Sequence, residues 1–190
     1  IKTAGGVVLI DPMPGKSDLV ELYETISEMY QGQQTFIINT HDHDDHTGGN
    51  EYFLTMGAKS FKGSLELFGI EHIIVASHSS VDNVYYHKTS NSIFVGDVFD
   101  SSWHPTFYFG GLKGLDKAID KILVLGDESS LVVPGHGKAS NKATLRKFRD
   151  DTFEWVARVK VLISKGLSVD EIMKDIVDIA DEFGVALDKV

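Results

Sequence analysis

Cysteine is absent from the 190 residues, which excludes disulfides and thiolate metal ligands together and leaves the redox compartment unrecorded. No apolar run approaches the roughly 18 residues that signal a bilayer-spanning helix, so no segment reads as a membrane anchor. Internal repeats and low-complexity runs are missing as well. Positive charge is scarce: 18 Lys and Arg stand against 28 Asp and Glu, a formal net charge of −10. An acidic surface repels phosphate backbones, which argues against a nucleic-acid partner. With 42% hydrophobic and 24% charged residues, the composition suits one globular domain over residues 1–190 with a sizeable core.

What the chain does have is a dense run of metal donors. Thr40 to Asn50 reads Thr-His-Asp-His-Asp-Asp-His-Thr-Gly-Gly-Asn. His41, His43, Asp45 and His46 are imidazole and carboxylate donors suited to zinc or a similar divalent ion. In an extended segment side chains alternate, so His41, His43 and Asp45 are expected on one face and His46 on another, letting two metals share the stretch. The preceding run Thr35-Phe36-Ile37-Ile38-Asn39 reads as a buried strand that carries the donors at its carboxyl end. Thr47-Gly48-Gly49 then turns the chain, and Asn50 is expected to cap a short helix with Tyr52, Phe53 and Met56 facing inward. A His-rich solvated loop is the plain alternative, and it is outweighed by the further donors at later strand ends.

The pattern H-x-H-x-D-H followed by Thr-Gly-Gly-Asn resembles the signature of the metallo-β-lactamase-fold hydrolase superfamily. Four further stretches extend the likeness over roughly Gly5 to Gly137. Gly5 to Asp11 looks like the Leu-Ile-Asp strand beneath the metals, with Asp11 expected behind the ligands. Ser77-His78 follows the strand Glu71 to Ala76, although Ser80 and Val81 replace the Pro and Gly often found there. Gly96-Asp97 closes a hairpin around Ser90-Asn91, and Pro134-Gly135-His136-Gly137 ends another strand.

The resemblance implies an α/β (α+β) architecture, the αββα sandwich of two mixed β-sheets flanked by helices. It implies His41, His43 and His78 at one metal, Asp45, His46 and His136 at a second, and Asp97 bridging both. Two divalent ions, zinc foremost with iron or manganese also suited, are the expected cofactors. Held about 3.5 to 4 Å apart, such ions ionise a shared water near neutral pH, so a metal-bound hydroxide is the expected nucleophile. Asp45 is expected to orient that water or carry a proton. The implied reaction is hydrolysis of a small-molecule thioester, lactone or ester, or β-lactam. Asp97, standing where the commonest zinc β-lactamases have cysteine, looks more like hydroxyacylglutathione hydrolases and lactonases, whereas Asp82-Asn83 resembles the β-lactamase branch. The alternatives are a phosphodiesterase or nuclease of the same superfamily and a mono-iron persulfide dioxygenase.

Elsewhere the pattern is structural. Apolar positions at helical spacing predict helices over Ser17 to Gln31, Leu115 to Leu123 and Asn141 to Lys165, and a capping box at Ser168 to Glu171 starts a last helix carrying Ile172, Ile176, Ile179 and Phe183. Their stripes suit core or a homo-oligomer surface. Trp103, His104, Phe107 and Tyr108 form an aromatic-rich segment expected to wall a substrate pocket. His72, His87 and His104 are expected outside the ligand set. Relative to the family, strands ahead of Gly5 and a loop near residues 57–63 are expected to be absent from the chain.

Overall fold

The computed structural model describes residues 1–174. One sheet has the order β1 (Lys2–Thr3), β2 (Gly6–Ile10), β3 (Thr35–Ile38), β4 (Lys59–Ser60), with β2, β3 and β4 parallel. The other runs β5 (Ile70–Val75), β6 (Asp82–His87), β7 (Ser92–Gly96), β8 (Leu131–Pro134), β9 (Ser140–Asn141), antiparallel except for the β7–β8 pair. A parallel pair needs a crossover. Helix α1 (Lys16–Met29) supplies it between β2 and β3, and α4 (Gly111–Leu123) supplies it between β7 and β8.

Strand alternation sorts the apolar residues into three layers. Val8, Phe36, Ile38, Tyr85 and Phe94 meet Ile70 and Phe68 between the sheets. Leu9 and Ile37, one residue out of phase, face the opposite way and pack with Leu19, Tyr23 and Phe53 of α1 and α3 (Asn50–Thr55). On the other side Val84, Ile93, Val95 and Val132 meet Leu115, Ile119 and Ile122 of α4 and Leu145 of α5 (Lys142–Ser164). Both sheets are thus covered on both faces, which is the αββα sandwich. Each large apolar side chain enclosed this way contributes about 1.5–3 kcal/mol, so the sheets rather than the loops hold the strand ends in place.

Helix α5 is capped by Asn141, whose side chain accepts from Thr144 N–H at 2.9 Å. The capping box forms: Ser168 N–H and Oγ donate to Glu171 Oε2 at 2.8 and 2.7 Å, and Ile172 is buried. Ile176, Ile179 and Phe183 lie outside the described residues.

Two local expectations are corrected. Asn50 does not cap α3: Gly49 occupies that position, and Asn50 Nδ2 donates to Asn39 Oδ1 at 2.9 Å instead. Met56 faces solvent at 42% exposure because α3 ends at Thr55, leaving Phe53 as its buried anchor. Within residues 57–63, β4 pairs in parallel beside β3. No described helix is long and apolar enough to cross a membrane.

Candidate metal centre

The donors lie on one rim of the sandwich because the segments carrying them all leave strands there. Asp11 follows β2, the His41 stretch follows β3, His78 follows β5, Asp97 follows β7 and His136 follows β8.

After β3 the chain bends at Thr40 and His41, and the extended His43 is the N-cap of α2 (Asp44–Thr47). The N–H groups of His46 and Thr47 both donate to His43 O at 3.0 Å. This turn overturns the alternation expected for the stretch: Asp45 is helical and lies with His46, not with His41 and His43.

The structure brings seven donors into two groups, each with its ligand atoms within 4.8 Å of one another. His41, His43 and His78 form the first. His43 Nδ1 is 3.1 Å from His41 Nε2 and 3.0 Å from His78 Nε2. Asp45, His46, Asp97 and His136 form the second. His136 Nε2 lies 3.0 Å from Asp45 Oδ2, and His46 Nε2 lies 3.2 Å from Asp97 Oδ1. Asp97 Oδ2 is 3.5 Å from His78 Nε2 and 3.6 Å from His136 Nε2, so this one carboxylate adjoins both groups.

Two glycines make room at the centre, one for Asp97 and one for Thr40. A Cβ on Gly135 would strike Asp97 Oδ1 directly. Gly96, at φ +53°, would put a Cβ 2.6 Å from Thr40 Oγ1.

Behind the donors sits Asp11, itself at φ +50°, a conformation Asp tolerates better than most residues. Its Oδ1 accepts from Thr40 N–H at 2.7 Å, and its Oδ2 accepts from Thr40 Oγ1 at 2.6 Å and faces His46 Nδ1 at 3.0 Å. Thr40 Oγ1 is in turn 3.1 Å from His41 Nδ1. One carboxylate thereby orients a histidine of each group. Neither Thr40 nor its link to His41 was anticipated, although Thr40 borders the motif.

The second sheet grips the same loop. Asn83 Nδ2 donates to Thr40 O at 2.9 Å and Tyr85 OH to Asn39 O at 2.7 Å. Asp82 folds the turn carrying His78 by accepting from Ser77 N–H at 2.8 Å and Ser79 N–H at 2.9 Å.

Burial and charge set the protonation of the metal-free centre. Burial, reinforced by neighbouring His46, pushes His41 down to about 4. Burial also lowers His78. It opposes charge on His46 too, but contacts with Asp11 and Asp97 outweigh it and raise His46 to about 10. Asp97 is held below the usual carboxylate range: burial opposes its charge, and His46, His136 and His78 overcome that.

The donor set fits divalent metal. Tetrahedral coordination with nitrogen at about 2.0–2.1 Å places ligand atoms about 3.3 Å apart, close to the spacing within the imidazole group. His46 Nε2 and Asp97 Oδ1 are buried 3.2 Å apart with no well-aligned hydrogen bond, and a cation between them would take a lone pair from each.

The aromatic segment divides. Tyr108 is 73% exposed with its ring 5.4 Å from that of His78. Phe107 turns to the core beside α4. Trp103 and His104 pack on each other at 5.0 Å. His72 pairs with Asn83 and His87 with Ser90, and neither they nor His104 belong to a donor group among the described residues.

Two facing mixed sheets with helices outside define an αββα sandwich, and its strand-end rim carries two groups of donors that could hold metal. The sequence profile of the metallo-beta-lactamase superfamily matches residues 1–55. A probable hydroxyacylglutathione hydrolase of Schizosaccharomyces pombe is 28% identical over 155 residues, covering 71% of this chain and 60% of that protein. The chain therefore spans less than two thirds of that relative's length. Among solved structures, the DIM-1 metallo-beta-lactamase superposes with a TM-score of 0.65 at 18% identity, over 79% of this chain and 83% of that one. The di-iron-bound form of TTHA1623 superposes with a TM-score of 0.60 at 20% identity, over 75% and 88%. Over residues 1–55 the chain is similar to the metallo-beta-lactamase superfamily, and it shares the fold of these solved structures.

Proposed function

We propose that this chain is a binuclear metal-dependent hydrolase acting on the carbonyl of a small-molecule thioester, lactone or ester, or β-lactam. The observation that carries this reading is the convergence of seven donors from four separate strand ends into two adjoining groups. His41, His43 and His78 would hold one ion, Asp45, His46 and His136 the other, and Asp97, adjoining both groups, would bridge them. When bound, the ions supply a water ionised near neutral pH and a Lewis acid for the oxygen that gains charge.

The chain's own residues supply the rest. Asp45, whose side chain is 51% exposed, is the carboxylate that reaches solvent at the rim; it is placed to orient the attacking water and to carry a proton at Oδ2. Asp97 is held ionised by the histidines around it and keeps the two groups in register. Tyr108 offers an exposed ring beside His78 for the substrate's apolar part, with Trp103 and His104 further along the same segment.

The likeness to a hydroxyacylglutathione hydrolase favours the thioester among the three carbonyl classes. Zinc is the first candidate metal, and iron suits the same donors. Initial rates of the zinc-loaded chain on a glutathione thioester and on a β-lactam, each beside a chelated control, test the reading. Chelator-sensitive turnover of the thioester supports it; metal-loaded protein that turns over no thioester, lactone or β-lactam refutes it.

A further inference from the structure

The segment between Asp97 and α4 touches both donor groups: Ser101 N–H donates to His136 O at 3.1 Å, and a short side-chain hydrogen bond reaches His78. Thr106 Oγ1 lies 2.7 Å from His78 Nδ1. The same segment is fastened again three residues on, where Phe109 N–H donates to Ser77 O at 2.8 Å, and between the two ties Tyr108 packs against the His78 ring. His78 is 4% exposed, and no other side chain among the described residues is hydrogen-bonded to its Nδ1.

A neutral imidazole carries its proton on one nitrogen and offers a lone pair on the other, and a metal-binding histidine depends on a partner to decide which. His41 and His46 take that partner from the strand ends beside them, through Thr40 and Asp11. His78 has neither within reach. Its partner comes from 28 residues further along the chain. The Thr106 hydroxyl can accept from Nδ1–H or donate to Nδ1; when it accepts, the lone pair of Nε2 faces His43 Nδ1 at 3.0 Å, where an ion would sit.

The geometry points to Thr106 as the positioning residue of His78: its hydroxyl accepts the Nδ1 proton when Nε2 takes metal, holds the ring within the imidazole group, and ties the aromatic segment to that group. This rests on the reading of His78 as a metal ligand. The consequence is that a substrate pressing on Tyr108 and an ion held by His78 act on one short segment anchored at Thr106 and Phe109.

The test uses the full chain and three proteins: wild type, Thr106→Val, which keeps the shape and removes the hydroxyl, and Thr106→Ser, which keeps the hydroxyl. Zinc affinities are measured by competition with a chromophoric chelator, with circular dichroism to verify folding. The expected result is a loss of about 10–100-fold in the affinity of the tighter equivalent for Thr106→Val, near wild-type affinity for Thr106→Ser, and little change in the second equivalent. Thr106→Val binding both equivalents as wild type does overturns the proposal. If Thr106→Val fails to fold, nitrogen-15 NMR of zinc-loaded wild type still decides: His78 as the Nδ1–H tautomer upholds it and the Nε2–H tautomer overturns it. Wild type that binds no zinc fails the metal-centre reading itself, whereas wild type that binds two ions with Thr106→Val unimpaired fails only the role of Thr106.

Discussion

The two donor groups share a rim and a bridging-placed carboxylate, but they are built differently. The imidazole group is compact, with neighbouring nitrogens 3.0 and 3.1 Å apart and two of its three rings buried. The mixed group spreads over 3.0 to 3.6 Å, and its Asp45 and His136 side chains are 51% and 41% exposed. The difference follows from what holds them. The His41 and His78 rings are each met at Nδ1 by a threonine hydroxyl, whereas the His136 ring, on a glycine-flanked strand exit, has Asp45, Asp97 and the His46 ring beside it, and the residue is tied by its backbone oxygen to Ser101. Preformed donors give up less conformational freedom on binding, so the imidazole group is expected to take the first ion and the mixed group the second.

The largest blow to both groups at once comes from Asp97. Asp97→Asn removes the charge adjoining His46, His78 and His136, and hydrolysis is expected to fall at least about a thousandfold, since a metal's electrostatic contribution is worth several kcal/mol and each 1.36 kcal/mol is tenfold. Steady-state rates with metal content measured in parallel check this; a variant that retains activity breaks the shared-carboxylate account.

Asp11→Asn sharpens the contrast. It strips the carboxylate from His46 directly and from His41 only through Thr40. The weaker equivalent should lose about 10–100-fold in affinity and the tighter one less. Calorimetric titration separates the two, and equal losses would erase the distinction drawn above.

Ile119→Ala is the control with the smallest expected effect on metal. Ile119 is fully buried in the layer between α4 and the second sheet, away from the rim. Unfolding free energy should drop by about 2–5 kcal/mol while zinc affinity of the folded protein stays unchanged. Denaturant melts beside zinc titrations would show it.

How far the sequence reaches depends on the range of the forces involved. The buried strands are legible because alternation and apolar content are local: Phe36-Ile37-Ile38 reads as a strand, and its residues split between two cores as a covered strand should. The chemistry of the centre is legible because His41, His43, Asp45 and His46 stand together in the chain. Their division is not, because a single helical turn at Asp44 replaces period two by period 3.6 and carries Asp45 across to His46. Asn50 reads as a cap from its type, yet its side chain is drawn to Asn39 by the packing of α3 on the first sheet. Thr106 has no local signal at all. Its role exists only once the chain returns to His78, and an isolated threonine among aromatics gives no hint of that contact.

The central claim is that two donor groups of unequal build hold two ions. Zinc content after loading and gel filtration, compared between wild type and His136→Ala, tests it most directly. Two equivalents per wild-type chain, with one retained tightly by His136→Ala, is the predicted result. A wild type that holds no more than one equivalent, or a His136→Ala variant that still holds two, would contradict it.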